Sequence, residues 1–239
     1  MADKRLKKQE ILEKFIIKAD YGIAGAFPSG QGAVVVLSEV SCESSDDDRW
    51  TVVGIHRNGI RGYHAEWKLL RLLWDISDTA RKIDVQLTQN FSPCNLDYEQ
   101  NGAKCAQHIV DYLKEMKKQK KEIKISITFA NFYRTVVYTG NGKDKAQQNQ
   151  KGLKLLDDNG VTLNLLRGEE EWKRLLNNEQ FVCLCEKERK ECLKEATSEA
   201  RRNREDRDRD LLETYLMELG EANLKALTLE EKTKIQDRQ

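Results

Sequence analysis

Proline occurs only twice in the 239 residues, at Pro28 and Pro93, and histidine only three times, at His56, His64 and His108. No run reaches about 18 apolar residues, so no segment reads as a membrane span and no membrane partner is expected. There is no excess of either charge: 41 Lys and Arg stand against 40 Asp and Glu, a net charge of +1. That excludes the strongly basic balance of a general polynucleotide binder, so any nucleic-acid contact must use a local basic groove. Met1-Ala-Asp-Lys-Arg-Leu-Lys-Lys has the charge of a signal peptide without a long apolar stretch behind it. The expected setting is a reducing cytoplasm, with nuclear entry left open. There the six cysteines are free thiols or metal ligands rather than disulfides.

Hydrophobic residues make up 39% of the chain and charged residues 34%, and the two are unevenly placed. Residues 1–185 alternate strand-like and helix-like patterns, while residues 186–239 are mostly charged. Leu6 to Ile17 has helical spacing, and the glycines between Gly22 and Gly32 form a loop. Ala33 to Val40 and Trp50 to His56 predict a hairpin. Tyr63 to Ile76 reads as a helix, Ile83 to Thr88 as a strand, Cys105 to Met116 as a helix and Ile123 to Ala130 as a strand. Gly140 to Gln150 reads as a polar loop before a helix from Gly152 to Asp158, stopped by Asn159-Gly160. Val161 to Leu166 predicts the fifth strand and Glu169 to Leu176 another helix. Strands alternating with helices imply a three-layer α/β domain over residues 1–185. Residues 186–239 read as a charged helical extension, a solvated helix or pair of helices striped by Leu211, Leu212, Leu216 and Leu219. Such an extension can recruit a protein partner, and cutting the chain after about Gln180 is expected to leave the metal site intact.

The chemistry concentrates in His64-Ala65-Glu66, followed by Ser92-Pro93-Cys94 and then Cys105. One imidazole and two thiolates are three protein ligands, the number a catalytic zinc keeps while leaving a fourth position for water. Two thiolates also balance a dication. Glu66, two positions beyond His64, is the proposed catalytic acid and base. The order H-x-E then P-C-x-x-C marks zinc-dependent nucleobase deaminases. Either element alone is common by chance: an H-x-E triplet is frequent, and a helical Cys is usually a packed apolar residue. His56 reads as a packed strand residue and His108 as a helix-surface residue, a weak rival ligand. Cys183 and Cys185 read as packing residues, with a separate metal role as the alternative.

Beyond these residues the chain resembles the AID/APOBEC family of polynucleotide cytidine deaminases. Phe91-Ser-Pro-Cys is similar to the family's W-S-P-C with Phe for Trp. Residues 105–113 resemble the helix that carries its second cysteine, and Phe129-Ala-Asn-Phe-Tyr-Arg resembles the strand end and loop that read the neighbouring base. Residues 149–166 resemble its G-L-x-x-L-x-x-x-G-V segment. The likeness covers roughly residues 30–180 and is greatest to the lamprey cytidine deaminases or an invertebrate branch of the family. It implies a cytidine deaminase-like fold, a five-stranded mixed sheet with helices on both faces, and a cytosine held over Zn²⁺ bound by His64, Cys94 and Cys105. It further implies that Tyr133 stacks on a base, that Asn58 contacts the target nucleotide, that Ser92 lies near the departing amine and that Phe91 forms an aromatic wall. The plain alternatives are a core tyrosine, a turn asparagine and a helix-capping serine. Two departures stand out. Ten residues separate Cys94 from Cys105 where the family has about two to four, and Phe91 lacks an indole N–H.

The activity implied is hydrolytic deamination of cytosine in single-stranded DNA, with RNA also open, in mutation, immunity or antiviral defence. Arg57, Arg61 and Arg134 flank the expected pocket as phosphate contacts or as solvated loop charges. Two alternatives remain: an enzyme for free cytidine or nucleotides, and a non-catalytic zinc-stabilised binding module.

Overall fold

Valine-rich β1 (Val35–Ser44) turns back on β2 (Arg49–Arg57) as the antiparallel hairpin that the sequence predicts. The turn places Asp47 at φ 64, a left-handed conformation that Asp tolerates better than most residues. Ser44 Oγ steadies it by accepting the amides of Asp46 and Asp48, each at 3.2 Å. The structure, a computed structural model, describes residues 4–16, 34–58, 64–95, 104–132, 143–214 and 216. Arg61, Tyr133, Arg134 and Leu219 lie outside the described residues, as do residues 96–103 of the insertion between the two site cysteines.

After the hairpin come α2 (Ala65–Ser77), β3 (Ala80–Phe91), α3 (Cys105–Lys118), β4 (Glu122–Asn131), α4 (Lys143–Asp158), β5 (Thr162–Leu165) and α5 (Gly168–Leu176). The strands form one mixed sheet in the order β2-β1-β3-β4-β5. β1 is antiparallel to both neighbours, whereas β3, β4 and β5 run parallel. Alternation along β1 sends its side chains to two cores. Val36, Val40 and Cys42 join α2, α3 and α4 on one face. Val35 and Leu37 join the N-terminal segment, α5 and α6 (Glu186–Ala196) on the other. The five-stranded mixed sheet with helices on both faces is therefore as expected.

Three elements differ from the sequence reading. The expected helix over Leu6–Ile17 is a short turn, α1 (Lys8–Glu10), running into a π-turn (Ile11–Phe15). An Ile16 N–H to Ile11 C=O bond of 3.0 Å widens this turn, which seats Ile11, Phe15 and Ile16 together in the second core. The polar stretch expected as a loop is helical from Lys143 onward. Among the described side chains of that stretch the buried one is Asn149, held by hydrogen bonding rather than by apolar packing.

The third difference is the charged tail. Its described part is a pair of helices, α6 and α7 (residues 199–214), with Leu211, Leu212 and Leu216 against the main core. One face of α7 is not solvated, however: Arg201, Arg204, Glu205 and Asp208 are buried. Arg201 donates to Ala130 C=O at 2.6 Å, to Asn131 Oδ1 at 2.9 Å and to Glu205 Oε1 at 3.1 Å, and lies 5.4 Å from the Trp172 ring centre. Glu205 in turn accepts Trp172 Nε1 at 2.8 Å and the Gly168 amide at 3.0 Å. Charge-rich composition conceals this contact because periodicity counts only apolar residues.

The Gln89 amide is among the buried polar groups of the described residues that no hydrogen bond satisfies. Gln89 on β3 is fully buried, and neither end of its amide has a hydrogen-bond partner. Each unpaired buried polar group costs about 1–3 kcal/mol. Gln89→Met, of similar length and without those groups, is expected to raise stability by about 1 kcal/mol or more. In thermal unfolding that is a rise of about 2–4 °C per kcal/mol; a lower melting temperature would contradict it.

Candidate metal centre

His64 is the N-cap of α2 and Cys105 the first residue of α3. The two helices start at the same edge because each follows a strand and leads back to a parallel one. Cys94 lies just past the end of β3, on the same side. Its carbonyl accepts the Ala106 amide at 2.9 Å, which closes the insertion and returns Cys105 to it. Cys94 Sγ and Cys105 Sγ lie 3.4 and 3.3 Å from His64 Nδ1. The three ligand atoms all fall within 4.8 Å of one another, a group that can hold one metal ion. The ten-residue spacing thus does not separate the thiols.

The other two histidines are not part of this group. His56 sits on β2 with Nε2 2.9 Å from Ser38 Oγ, and burial lowers its pKa to about 4. His108 packs edge-on to Trp67, with ring centres 4.5 Å apart. Cys183 and Cys185 are exposed rather than packed. Among the described residues, no second cluster of potential metal ligands forms.

Glu66, at the second position of α2, is 1% exposed, and its Oε2 has no hydrogen-bond partner. Burial first, and the neighbouring Cys94 charge second, push its pKa up to about 7. Hydrogen bonding from Cys105, then from His64, draws the Cys94 thiol down to about 5 despite its burial. Cys105 moves the other way, well above the ordinary thiol value, because it donates to Cys94 and is buried. The Cys94 hydrogen bond raises His64. Two sulfurs sharing a proton beside an imidazole is the pattern of a ligand set whose protons a dication displaces. The N-termini of α2 and α3 both point here and favour negative charge.

The residues around this cluster mostly position it. Asn58 Oδ1 accepts the Ala65 amide at 2.9 Å and so holds the start of α2. Ser92 is buried, and its amide donates to Asn131 C=O at 2.9 Å. Phe91 is buried in the main core. Arg57 is bonded to Glu10 and to the Lys4 carbonyl. Three residues went unnoticed in the sequence. Asn149 Oδ1 accepts the Asn95 amide at 2.8 Å, fixing the residue after Cys94. Asn131 Nδ2 donates to the carbonyls of Asn90 (2.9 Å) and Phe15 (3.2 Å), tying two strand ends to the N-terminal segment. Gly152 lets α4 approach: a Cβ there would lie 2.3 Å from Asn95 Cβ and 3.2 Å from Ala106 Cβ. All three fall in stretches of the family resemblance, Asn131 in 129–134 and the other two in 149–166, the signal that could have found them.

Gly152→Ala gains about 1 kcal/mol of helix propensity. It must also displace Asn95 and Ala106, the residues that follow Cys94 and Cys105, at about 1–3 kcal/mol. The expected result is lower stability together with metal affinity weakened about tenfold or more, as for disturbed ligand-positioning residues. Chelator competition checks this; unchanged affinity would contradict it.

No protein-family model matches this chain, and no curated protein matches it.

Proposed function

We propose that this protein is a zinc-dependent hydrolase that converts cytosine to uracil in single-stranded DNA, with RNA as a second polynucleotide. The observation that carries this reading is Glu66: a fully buried carboxylate with one oxygen unpartnered, set two residues from His64 in a group of three metal-ligating side chains. A purely structural metal site closes its fourth position with another protein ligand. Here the neighbouring acidic side chain, Glu66, stays outside the group of three ligands.

The donor set fits zinc. With Zn–S of about 2.3 Å and Zn–N of about 2.0–2.1 Å, tetrahedral coordination places nitrogen and sulfur about 3.6 Å apart. The separations of 3.4 and 3.3 Å approach that. Bound zinc lowers the pKa of a coordinated water toward about 7 and makes hydroxide available at neutral pH. The protein does the rest. Glu66 takes the proton from the attacking water and delivers it to the pyrimidine ring, then to the departing amine. Water oxygen bonds to C4 as the C4–N bond breaks, so cytosine and water leave as uracil and ammonia. A buried carboxyl two residues from His64 is placed to move the proton in both directions. Preference for cytosine, and the substrate roles of Asn58, Phe91, Ser92, Tyr133 and Arg134, rest on the AID/APOBEC resemblance.

Single-stranded DNA, single-stranded RNA and free cytidine, offered in parallel to the zinc-loaded protein, test this reading. Uracil is expected in DNA at the highest rate, with strong loss as salt rises. Turnover of cytidine alone would assign the site to free nucleosides. No turnover of any substrate by protein with full zinc content would leave a binding module.

A further inference from the structure

Away from the metal centre, α2 and α3 leave a groove of about 870 Å³ between them on the outer surface. Trp67 and Trp74, at 38% and 42% exposure, are among the large apolar side chains most open to solvent in the described residues. They stand seven residues apart, two turns along one face of α2. Each rests edge-on against α3, Trp67 on His108 and Trp74 on Tyr112, with ring centres 4.5 and 5.1 Å apart. These pairings also show that the two helices run in the same direction. Neither Trp is needed to close the core: Leu69, Leu70, Leu73 and Ile76 already do so from the buried side of α2.

The rims carry opposite signs. Lys68 and Arg71 line the α2 side, and Asp111 and Glu115 the α3 side. A partner of one sign meets a like-charged rim whichever way it lies. A polynucleotide seated here faces Asp111 and Glu115, and a basic peptide faces Arg71. A second copy of the same groove matches both rims at once, provided that α2 of each copy lies over α3 of the other. A two-fold axis parallel to the helices does this. An axis across the helices stacks α2 on α2 and sets Arg71 against Arg71.

We propose that two copies of this chain associate through the α2–α3 groove, α2 over α3 about an axis parallel to the helices, with the four tryptophans buried between them. An interface of this kind is self-complementary, each contact occurring twice. Buried aromatic anchors carry most of the affinity and opposed charges set the register. Both metal centres then lie at the same end of the dimer, because His64 and Cys105 begin the two helices that form the interface. The assignment is independent of the reaction proposed above.

Sedimentation of the full chain tests it. The wild type is expected to associate reversibly as a dimer. Arg71→Glu and Asp111→Arg, both at exposed positions, each place like charges together and are expected to weaken association about tenfold or more. Combined in one chain they restore opposite charges across the interface, and the dimer returns. Circular dichroism and metal content, unchanged in both single variants, separate lost association from lost folding. A wild type that remains monomeric at every concentration overturns the proposal. So does a double variant no tighter than the singles, or a single-stranded oligonucleotide whose binding is lost in Trp74→Ala while sedimentation stays the same.

Discussion

Glu66→Gln is expected to retain the metal and lose about a thousandfold or more of the deamination rate, within the range that positioned acid–base groups contribute. The amide has the shape of the carboxyl, so the pocket at the start of α2 is refilled without a void. It cannot take up a proton from water and return it. Folding does not suffer, because the replaced Oε2 has no hydrogen-bond partner to lose and an ionisable group leaves a buried position. Uracil release from a single-stranded oligonucleotide, read beside metal content and melting temperature, separates the outcomes. Activity near that of the wild type would show that another group moves the proton. Loss of the metal would show that Glu66 is part of the ligand set.

Arg201→Ala has the second largest expected effect, on stability. Removing one partner of a buried ion pair costs about 3–5 kcal/mol, because the other charge stays buried and unpaired. Here the stranded partner is Glu205, and Ala130 C=O and Asn131 Oδ1 lose a donor as well. For a chain of this size that is a fall of roughly 6–20 °C in melting temperature. Glu169→Ala, which breaks only an exposed pair with Lys173, is expected to change stability by less than about 1 kcal/mol. The disturbance also reaches the metal centre, since Asn131 accepts the Ser92 amide two residues before Cys94. Removal of α7 is expected to act like Arg201→Ala, contrary to the view of the tail as a separable extension. A truncated chain with wild-type melting temperature and metal affinity would restore that view.

The sheet and the ligand set were legible because each rests on a local rule. The valine-rich run of Ala33 to Val40 and the alternation of Ile83 to Thr88 marked strands directly. His64-x-Glu66 and the two cysteines marked the site through residue chemistry. Residues that act through polar contacts left no such mark. Asn149, Asn131 and Arg201 are buried by hydrogen bonds and ion pairs, so they read as loop or solvated helix in a pattern built on apolar spacing. That the ten-residue insertion returns Cys105 to the metal follows from the ligand set, but the means, the Ala106 amide meeting the Cys94 carbonyl past the strand end, was not legible. Trp67 and Trp74 show the converse. Helical periodicity puts both on one face of α2 with Leu70 and Leu73, yet the leucines are buried while each Trp sits on the shoulder, where α3 meets the groove.

X-ray absorption at the zinc edge of the purified full chain addresses the metal centre most directly. One zinc per chain is expected, with two sulfur neighbours at about 2.3 Å and a nitrogen and an oxygen at about 2.0–2.2 Å. His64→Ala is expected to remove the nitrogen contribution or the metal itself. Four sulfurs around the ion, or protein purified without stoichiometric zinc and unable to take it up, would contradict a catalytic centre built on His64, Cys94 and Cys105.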